Sequence, residues 1–534
     1  MTTNNNEPCL VETEQGFSVS YNGKYLYSKR NPKRVISTLV ANTDIGENCL
    51  VILASPVLGY GVPEILAKIP ESSFLLAVEF DQTLFELAKK HITYKTNRFK
   101  LIQAKSVQSV IKEVQSLEKM NFKTVIFFEG SGGAKLNEDF YREAVLYAKQ
   151  SITQNWINKL TLIKMGHTYA ANFFKNLKRI LKKNTPVKSI TDLSISKPVL
   201  VVAAGPSLDF YRNFISRNRE KLFILCVDAA ISSLLPEIIP DGVIILESQF
   251  WIDSAFTGSF KFNIPLFADL TSSPRIMQAQ TKAPVYLYFT EYTSANYLNR
   301  LKEENILPQT LQPMGSVGLT AASIALSIRK KPSVPIFFTG LDFSWQSKFT
   351  HSNESSQVKA LRIMQTKINP LQNGERLFPK SLQKTTGTNK KTIYTTPVLQ
   401  SYCDIFNHAF VNTTSHSDNV YRLLGLRQDP NAITESTAQE IINRIVTPPS
   451  CKTTETCISK QSLEAALNNI KTELDLLRDC FTGKTPLPDE SVKNLLEKND
   501  FLYLHFPDNT VNLKSEFLNR VRIELEYFIK FLSV

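Results

Sequence analysis

A series of short runs constrains this chain more than any other feature: Lys197-Pro-Val-Leu-Val-Val-Ala-Ala, Lys221-Leu-Phe-Ile-Leu-Cys-Val, Gly242-Val-Ile-Ile-Leu, Pro284-Val-Tyr-Leu-Tyr-Phe and Pro335-Ile-Phe-Phe-Thr. None alternates apolar with polar residues, so none has a face for water. Such runs need burial on both sides, which a parallel sheet covered by helices provides. The same pattern occurs earlier: Cys49-Leu-Val-Ile-Leu-Ala, a short helix over 63–68, Phe74-Leu-Leu-Ala-Val-Glu, a helix over 84–91, then Thr124-Val-Ile-Phe-Phe-Glu. Strand alternating with helix specifies an α/β fold with parallel sheets.

Around these cores the chain divides. Phe17–Tyr21 and Lys24–Tyr27 read as a hairpin turned on Asn22-Gly23, a dipeptide that tolerates positive φ. With a helix from about Pro32, it opens a Rossmann-like N-terminal domain over 1–195. Its loop Ser55-Pro-Val-Leu-Gly59-Tyr-Gly61 and the strand-end Glu79 stand where a nucleoside site keeps its glycines and ribose acid. Ser55 and Pro56 replace the tightest glycines, so the domain reads as degenerate and structural, although the spacing resembles an S-adenosylmethionine methyltransferase. A central α/β domain follows over 196–428, with a polar insertion near 352–396 and the sheet expected to resume at Ala409-Phe-Val-Asn. From 429 to 534 the pattern is helical. Leu463, Leu467, Ile470, Leu474 and Leu477 form one stripe, and Leu518, Val521, Leu525, Phe528 and Leu532 another, as expected for helices packed on each other or on the α/β core.

At 534 residues the chain has room for roughly three or four domains, which excludes a single small binding module. Its 62 Lys and Arg against 49 Asp and Glu leave +13, favouring anionic partners. No polybasic tail, RNA-binding aromatic signature or zinc-finger spacing accompanies that charge, so nucleic-acid binding is not expected. Seven cysteines, an odd number, fit reduced thiols in cytosol. The opening Met-Thr-Thr-Asn-Asn-Asn-Glu lacks the features of a secretion signal. Asp228, Glu237 and Asp241 interrupt the apolar stretch 222–246, so no membrane span is expected and a cytoplasmic protein is.

Candidate chemistry gathers at strand ends. Ala203-Ala-Gly205-Pro206-Ser207-Leu208-Asp209 follows a buried run and precedes a helix; Gly205 lets backbone approach a ligand, and Ser207 could cap the helix or offer its N–H and hydroxyl to a phosphate. The same tripeptide is also a common turn. Asp228 and Gln249 end the next two runs and would border the same crevice; separately, one could be a helix cap and the other a solvated loop residue. Gly315-Ser316 opens an Ala-rich helix, a second place for backbone amides to meet an anion. His351 stands past the strand that ends in Thr-Gly340-Leu-Asp342-Phe, where an imidazole could be a general base or a surface group.

Together, Val-Leu-Val-Val-Ala-Ala-Gly-Pro-Ser-Leu, the Gly-Ser-Val helix start, Thr-Gly-Leu-Asp-Phe and Thr-His-Ser resemble the motility-associated factor (Maf) glycosyltransferases of bacterial flagellin glycosylation. The central domain of that family is shared with the MptE-like 6-hydroxymethylpterin diphosphokinases, and it is similar to bacterial CMP-sialic acid sialyltransferases. The resemblance covers roughly 197–425. It implies a sialyltransferase-like central domain that moves a nonulosonic acid (pseudaminic, legionaminic or related) from its CMP-activated donor to Ser or Thr hydroxyls of flagellin. Gly205, Pro206 and Ser207 would form the first nucleotide loop, with Asp228 at the ribose and Gln249 near the donor sugar. Gly315 and Ser316 would form the second loop, Asp342 a brace, His351 the general base, and Asn412-Thr413-Thr414-Ser415 the segment closing the crevice, with no metal and no cofactor beyond the donor.

Two departures accompany the match. The sialyltransferases place phosphate-binding tyrosines where this chain has Ser344-Trp-Gln-Ser-Lys-Phe, leaving Trp345, Lys348 or Tyr394 as substitutes. Glu247-Ser248 replaces the common Asp-Pro. One alternative is a pterin-type pyrophosphokinase using ATP and magnesium on Asp228, Glu247 and Asp342. Another is a flagellin-binding accessory protein with a decayed site. The helical region 430–534 is the candidate flagellin-docking surface, and the oligomeric state is not specified by the sequence.

Overall fold

Asn22 and Gly23 take φ of 51° and 72°, the left-handed pair of a tight hairpin turn, between antiparallel strands Gly16–Tyr21 and Lys24–Tyr25. The computed structural model describes residues 7–117, 120–182, 187–280, 282–346, 349–368, 370, 379–411, 419–429, 431–445, 452–453 and 459–532. A third strand, Cys9–Thr13, pairs with Gly16–Tyr21. Four parallel strands follow, in spatial order Phe99–Gln103, Phe74–Glu79, Cys49–Ala54 and Thr124–Glu129. The two inner ones are wholly buried, which is why they read as unbroken apolar runs. The edge strand Phe99–Gln103 is half-exposed with Lys100 outward, and its mixed sequence concealed it.

The chain forms two compact units, residues 1–161 and 162–534. The division falls inside one helix, α1 (Glu138–Lys182), and not at residue 195 as the sequence led us to expect. Tyr141, Ala144, Ala148 and Ile152 of its first half join the core of the first unit. Phe173, Phe174, Leu177 and Ile180 of its second half join the core of the second.

The second unit is built on a sheet of β1 (Val199–Val202), β2 (Phe223–Val227), β3 (Gly242–Ile245), β4 (Leu266–Asp269), β5 (Val285–Thr290), β6 (Ile336–Thr339), β7 (Val420–Leu423) and β8 (Ala432–Ile433). All run parallel, in the order β5-β4-β3-β2-β1-β6-β7-β8; short strands Val187–Ser189 and Thr310–Leu311 also pair with β5. Val202 is in register with both Cys226 and Thr339, so the carboxyl ends of β1, β2 and β6 line up. The chain steps outward from β1 to β5 and then returns to lay β6 on the other side of β1. That reversal makes the β1/β6 edge the switch point where open parallel sheets bind ligands.

The sheet resumes at Val420–Leu423 and not at Ala409. Helix Pro397–Phe406 runs on through a wider turn, Asn407–Val411, because Phe406 and Phe410, four apart, bury together with ring centroids 5.5 Å apart. The insertion holds helix Ser356–Ile363 and the hairpin Gln383–Thr386 with Thr392–Thr395. At the C-terminal end, Leu463, Leu467, Ile470, Leu474 and Leu477 of helix Lys460–Phe481 are all buried, as are Val521, Leu525 and Phe528 of helix Ser515–Leu532. They share one core with the sheet. The region 429–534 is therefore part of the second unit, and the stripes that made it a candidate docking surface are not available to a partner. Among the described residues no helix is long and apolar enough to cross a membrane.

Candidate functional site

The turn after β1 is shaped by close backbone approach. A Cβ on Gly205 would stand 2.4 Å from the Gly340 carbonyl oxygen and 2.5 Å from Asp342 Oδ2, and one on Gly340, at φ 72°, would stand 2.0 Å from the Ala203 carbonyl oxygen. Only glycine fits either position. The Gly205 N–H donates to the Gly340 carbonyl at 2.8 Å, locking the ends of β1 and β6 together. Asp342 completes the lock: Oδ2 accepts the Ser207 N–H at 2.8 Å and Oδ1 accepts the Leu426 N–H at 3.0 Å. Burial pushes its carboxyl up, against those amide bonds and the nearby Arg422.

Ser207 therefore serves the frame. Its N–H is taken by Asp342, its Oγ accepts the Gly340 N–H at 3.2 Å, and it makes no side-chain cap on helix α2 (Leu208–Arg217). The phosphate contact expected of its N–H is not open to it. Pro206 has no N–H, so this turn forms a wall and not a cradle of donors.

His351 reaches the same place from the far side of β6. The Ser352 N–H donates to the Ala204 carbonyl at 2.8 Å, the Ser352 and Ser233 hydroxyls meet at 2.6 Å, and the Asn353 N–H donates to Asp209 at 2.9 Å. The first contact pins the histidine loop to the end of β1, the second to the helix Ile231–Leu234 after β2 and the third to the first turn of α2. The ring is half-buried, with Nδ1 2.9 Å from the Thr350 hydroxyl. Asp228, at the end of β2, accepts the Ala229 N–H at 2.7 Å. Burial, with Glu247 adding to it, pushes its carboxyl up to about 6.

Gly315, at φ 74°, lies against the Tyr402 ring, where a Cβ would meet Cε1 at 2.8 Å. Ser316 precedes helix α3 (Val317–Ile328) without capping it. A Cβ on Gly318 would be 2.5 Å from Leu341, so this glycine lets the start of α3 close on the residue beside Asp342. Of the first amides of α3, that of Leu319 goes to the Ser316 carbonyl at 3.1 Å, and those of Val317 and Gly318 receive no side-chain cap from Ser316. Gln249 is exposed at the end of β3 and its N–H goes to Glu247 at 2.8 Å, two strands from the turn after β1. Trp345 and Tyr394 exchange backbone hydrogen bonds at 2.9 and 2.8 Å, and Trp345 is buried. Lys348, Thr413 and Thr414 lie outside the described residues.

Sequence reasoning missed Arg422 on β7, which donates to the Leu341 carbonyl and pairs with Asp429 at 3.4 Å, its guanidinium over Phe343 and Phe406. A charged residue inside the run Val420-Tyr-Arg-Leu was the available signal, since arginine is rarely buried unless paired. Asp209 and Ser352 were missed because their partners are far away in sequence. Asn172 and Asn176 on α1 were missed too. Each amide group bridges two carbonyls of the loops after β3 and β4: Ser248 and Thr271 at 2.9 and 3.0 Å, Leu270 and Ser272 both at 2.9 Å.

Comparison with known proteins gives the family and the fold in which these glycine turns and the histidine loop are set. The family model "6-hydroxymethylpterin diphosphokinase MptE-like" matches residues 171–348. The fold matches "Structure of MAf glycosyltransferase from Magnetospirillum magneticum AMB-1" with a TM-score of 0.56, covering 99% of this chain and 92% of that one at 14% identity; at that identity the likeness is one of fold. The class is thus an MptE-like domain carried on a Maf-type fold. A protein of Treponema pallidum (strain Nichols), titled "Uncharacterized protein", is 34% identical over 552 residues, 98% of this chain and 95% of that one. The chain belongs to one family with that protein, MptE-like in its central domain and Maf-type in its fold.

Proposed function

We propose that this chain is a glycosyltransferase, and that it moves a nonulosonic acid from a CMP-activated donor to Ser or Thr hydroxyls of flagellin. One observation carries the reading: the His351 loop is tied by backbone, through Ser352, to Ala204 just before the Gly205–Ser207 turn at the β1/β6 switch point, on a fold matching that of a Maf glycosyltransferase. The His351 imidazole, whose Nδ1 lies 2.9 Å from the Thr350 hydroxyl, takes the acceptor proton. The freed oxygen attacks the anomeric carbon, the bond to the CMP phosphate breaks with inversion, and CMP leaves with the electron pair. The opening amides of α3 stabilise that leaving phosphate. Asp342 and Ser207 hold the walls, and Asp228 stands at the ribose side.

The second reading, pyrophosphate transfer to a pterin-like alcohol, draws on the family model over 171–348. It needs carboxylates that converge on magnesium. Both oxygens of Asp342 accept backbone amides, and among the described residues Asp228, Glu247 and Asp342 are not a group whose ligand atoms lie within 4.8 Å of one another. Geometry thus favours sugar transfer.

Calorimetric titration with CMP, and separately with ATP plus magnesium, tests the choice. Saturable CMP binding that survives His351→Ala, with loss of sugar transfer to flagellin in that variant, is the expected result. Binding of ATP and magnesium without CMP would overturn it in favour of the pyrophosphokinase, and binding of neither in favour of an accessory protein.

A further inference from the structure

Away from the crevice, three side chains of metal-ligating type converge from distant parts of the second unit. His167 lies on α1, His505 in the segment after helix Asp489–Lys498, and Glu524 on helix Ser515–Leu532. The two Glu524 oxygens are shared between the rings: Oε2 is 2.7 Å from His167 Nδ1 and Oε1 is 3.3 Å from His505 Nε2. The ligand atoms of all three lie within 4.8 Å of one another. It is the only such group of His, Cys, Asp or Glu side chains among the described residues.

The surroundings favour a built site over a chance encounter. The side chains of His505 and Glu524 are 12% and 14% exposed, and aromatic rings wall them: Tyr527 stands 4.7 Å and Phe528 5.9 Å from the His167 ring, and Phe506 4.8 Å from that of His505. His505 Nδ1 is buried without a hydrogen-bond partner among the described residues, so packing, more than a second hydrogen bond, aims Nε2 at the cluster. Gly166 makes that packing feasible: a Cβ there would stand 3.0 Å from His505 Cβ. Alanine is the better helix former by about 1 kcal/mol, yet its Cβ would require His505 to give way by a few tenths of an ångström.

From this convergence we infer that His167, His505 and Glu524 form a binding site for a divalent transition metal of the zinc class, independent of the sugar-transfer reading. Two imidazoles and a carboxylate are a donor set zinc accepts. Tetrahedral zinc with bonds near 2.0–2.1 Å needs ligand atoms about 3.3 Å apart; the His505 contact to Glu524 stands at that distance, and the His167 contact, at 2.7 Å, would open by about 0.6 Å to admit the ion. The His167 side chain is 36% exposed, so water can complete the fourth position. Bound metal would fasten the C-terminal helix to α1, the helix whose Asn172 and Asn176 hold the loops after β3 and β4.

The test is calorimetric titration of the tag-free, chelator-dialysed full chain with zinc chloride, and with cobalt chloride for its visible spectrum. The wild type should take up about one equivalent and melt at a higher temperature with zinc. Glu524→Gln, which keeps the shape of the side chain but replaces one acceptor oxygen by an NH2 donor, should weaken zinc by at least about tenfold and lose the melting shift. His167→Gln, at the more exposed ring, should do the same if Glu524→Gln does not fold. Gly166→Ala, with all three ligands intact, should also weaken zinc. Equal zinc binding by wild type and the folded ligand variant, or no binding by the wild type, would overturn the site and leave a histidine–carboxylate–histidine hydrogen-bond cluster.

Discussion

The turn after strand Cys49–Ala54 and the turn after β1 occupy the same place in two parallel sheets, each with a serine and a proline and each beside a strand-end acid. In the first unit Glu79 is fully buried. It accepts the Ser55 hydroxyl at 2.8 Å, the Tyr141 hydroxyl at 3.1 Å and the amides of Phe80 and Asp81 at 3.0 and 3.1 Å. A Cβ on Gly133 would be 2.2 Å from Ser55 Oγ, so the chain's own side chains fill the space where a ribose would sit. In the second unit the acid Asp342 is equally buried, but it serves as a clamp on the Ser207 and Leu426 amides, whereas Asp228, Ser316 and His351 are each half-exposed. The same topology thus gives a turn filled by side chains in one unit and, in the other, a turn locked by backbone bonds and a carboxylate clamp with half-exposed polar residues at the strand ends. What separates them is the number of protein donors that reach the space beyond the strand ends.

The sharpest way to break the comparison is at its tightest point. Gly340→Ala places a methyl group 2.0 Å from a carbonyl oxygen at a positive φ, and should cost about 3 kcal/mol or more. Urea unfolding would show it, and a near-neutral result would mean that β1 and β6 do not meet as described. His351→Ala should lower transfer by roughly 10²–10⁴-fold while leaving stability within about 0.5 kcal/mol; a comparable loss of stability would make the histidine a structural member of the wall.

The plugged turn gives a pH signature. Burial pushes the Glu79 carboxyl up to about 7, against lowering bonds from Ser55, Asp81 and Tyr141. Its folded value lies above the unfolded one of about 4.3, so the protonated form favours folding. The stability it contributes is present below about pH 4.3 and is lost as pH rises toward 7. Glu79→Gln should remove that slope, so that urea midpoints at pH 5 and pH 8 differ less than in the wild type, by on the order of 1–3 kcal/mol. An unchanged slope would mean that Glu79 is ionised in the fold and that the plug is held by charge.

Much of this architecture was legible because burial on both faces leaves a plain mark. Cys49–Ala54, Phe74–Glu79, β1, β2, β3, β5 and β6 are continuous apolar runs for that reason. β4, whose Leu-Phe-Ala-Asp has no β-branched residue and ends in Asp269, and the half-exposed Phe99–Gln103 carry too little of that mark. Strand order alone brings Gly205, Asp228 and Gln249 to one crevice, and Asp342 and His351 join them only through the family resemblance. The roles of these last two were not legible, because the donor that claims Asp342 Oδ1 is Leu426, 84 positions away, and the anchor of the histidine loop is the Ala204 carbonyl. Composition identifies which residues stand at a strand end; the fold decides which of them have already found partners.

Ser207 is where that distinction can be measured with the smallest change. The sequence reading gives its N–H and hydroxyl to a phosphate, whereas the structure gives the N–H to Asp342 and uses Oγ as acceptor for the Gly340 N–H. Ser207→Ala removes the Oγ acceptor and leaves the backbone bond to Asp342 intact. One neutral hydrogen bond lost in a buried turn should lower stability by about 1 kcal/mol. If Ser207 is a wall residue, CMP affinity should change less than about threefold, because the donors to the phosphate lie at the start of α3. A loss of tenfold or more, with stability preserved, would return Ser207 to the ligand and make the turn after β1 a phosphate loop after all. Gly318→Ala, which forces the start of α3 against Leu341, should then have the weaker effect on CMP; if Ser207 is a wall residue it should have the stronger one.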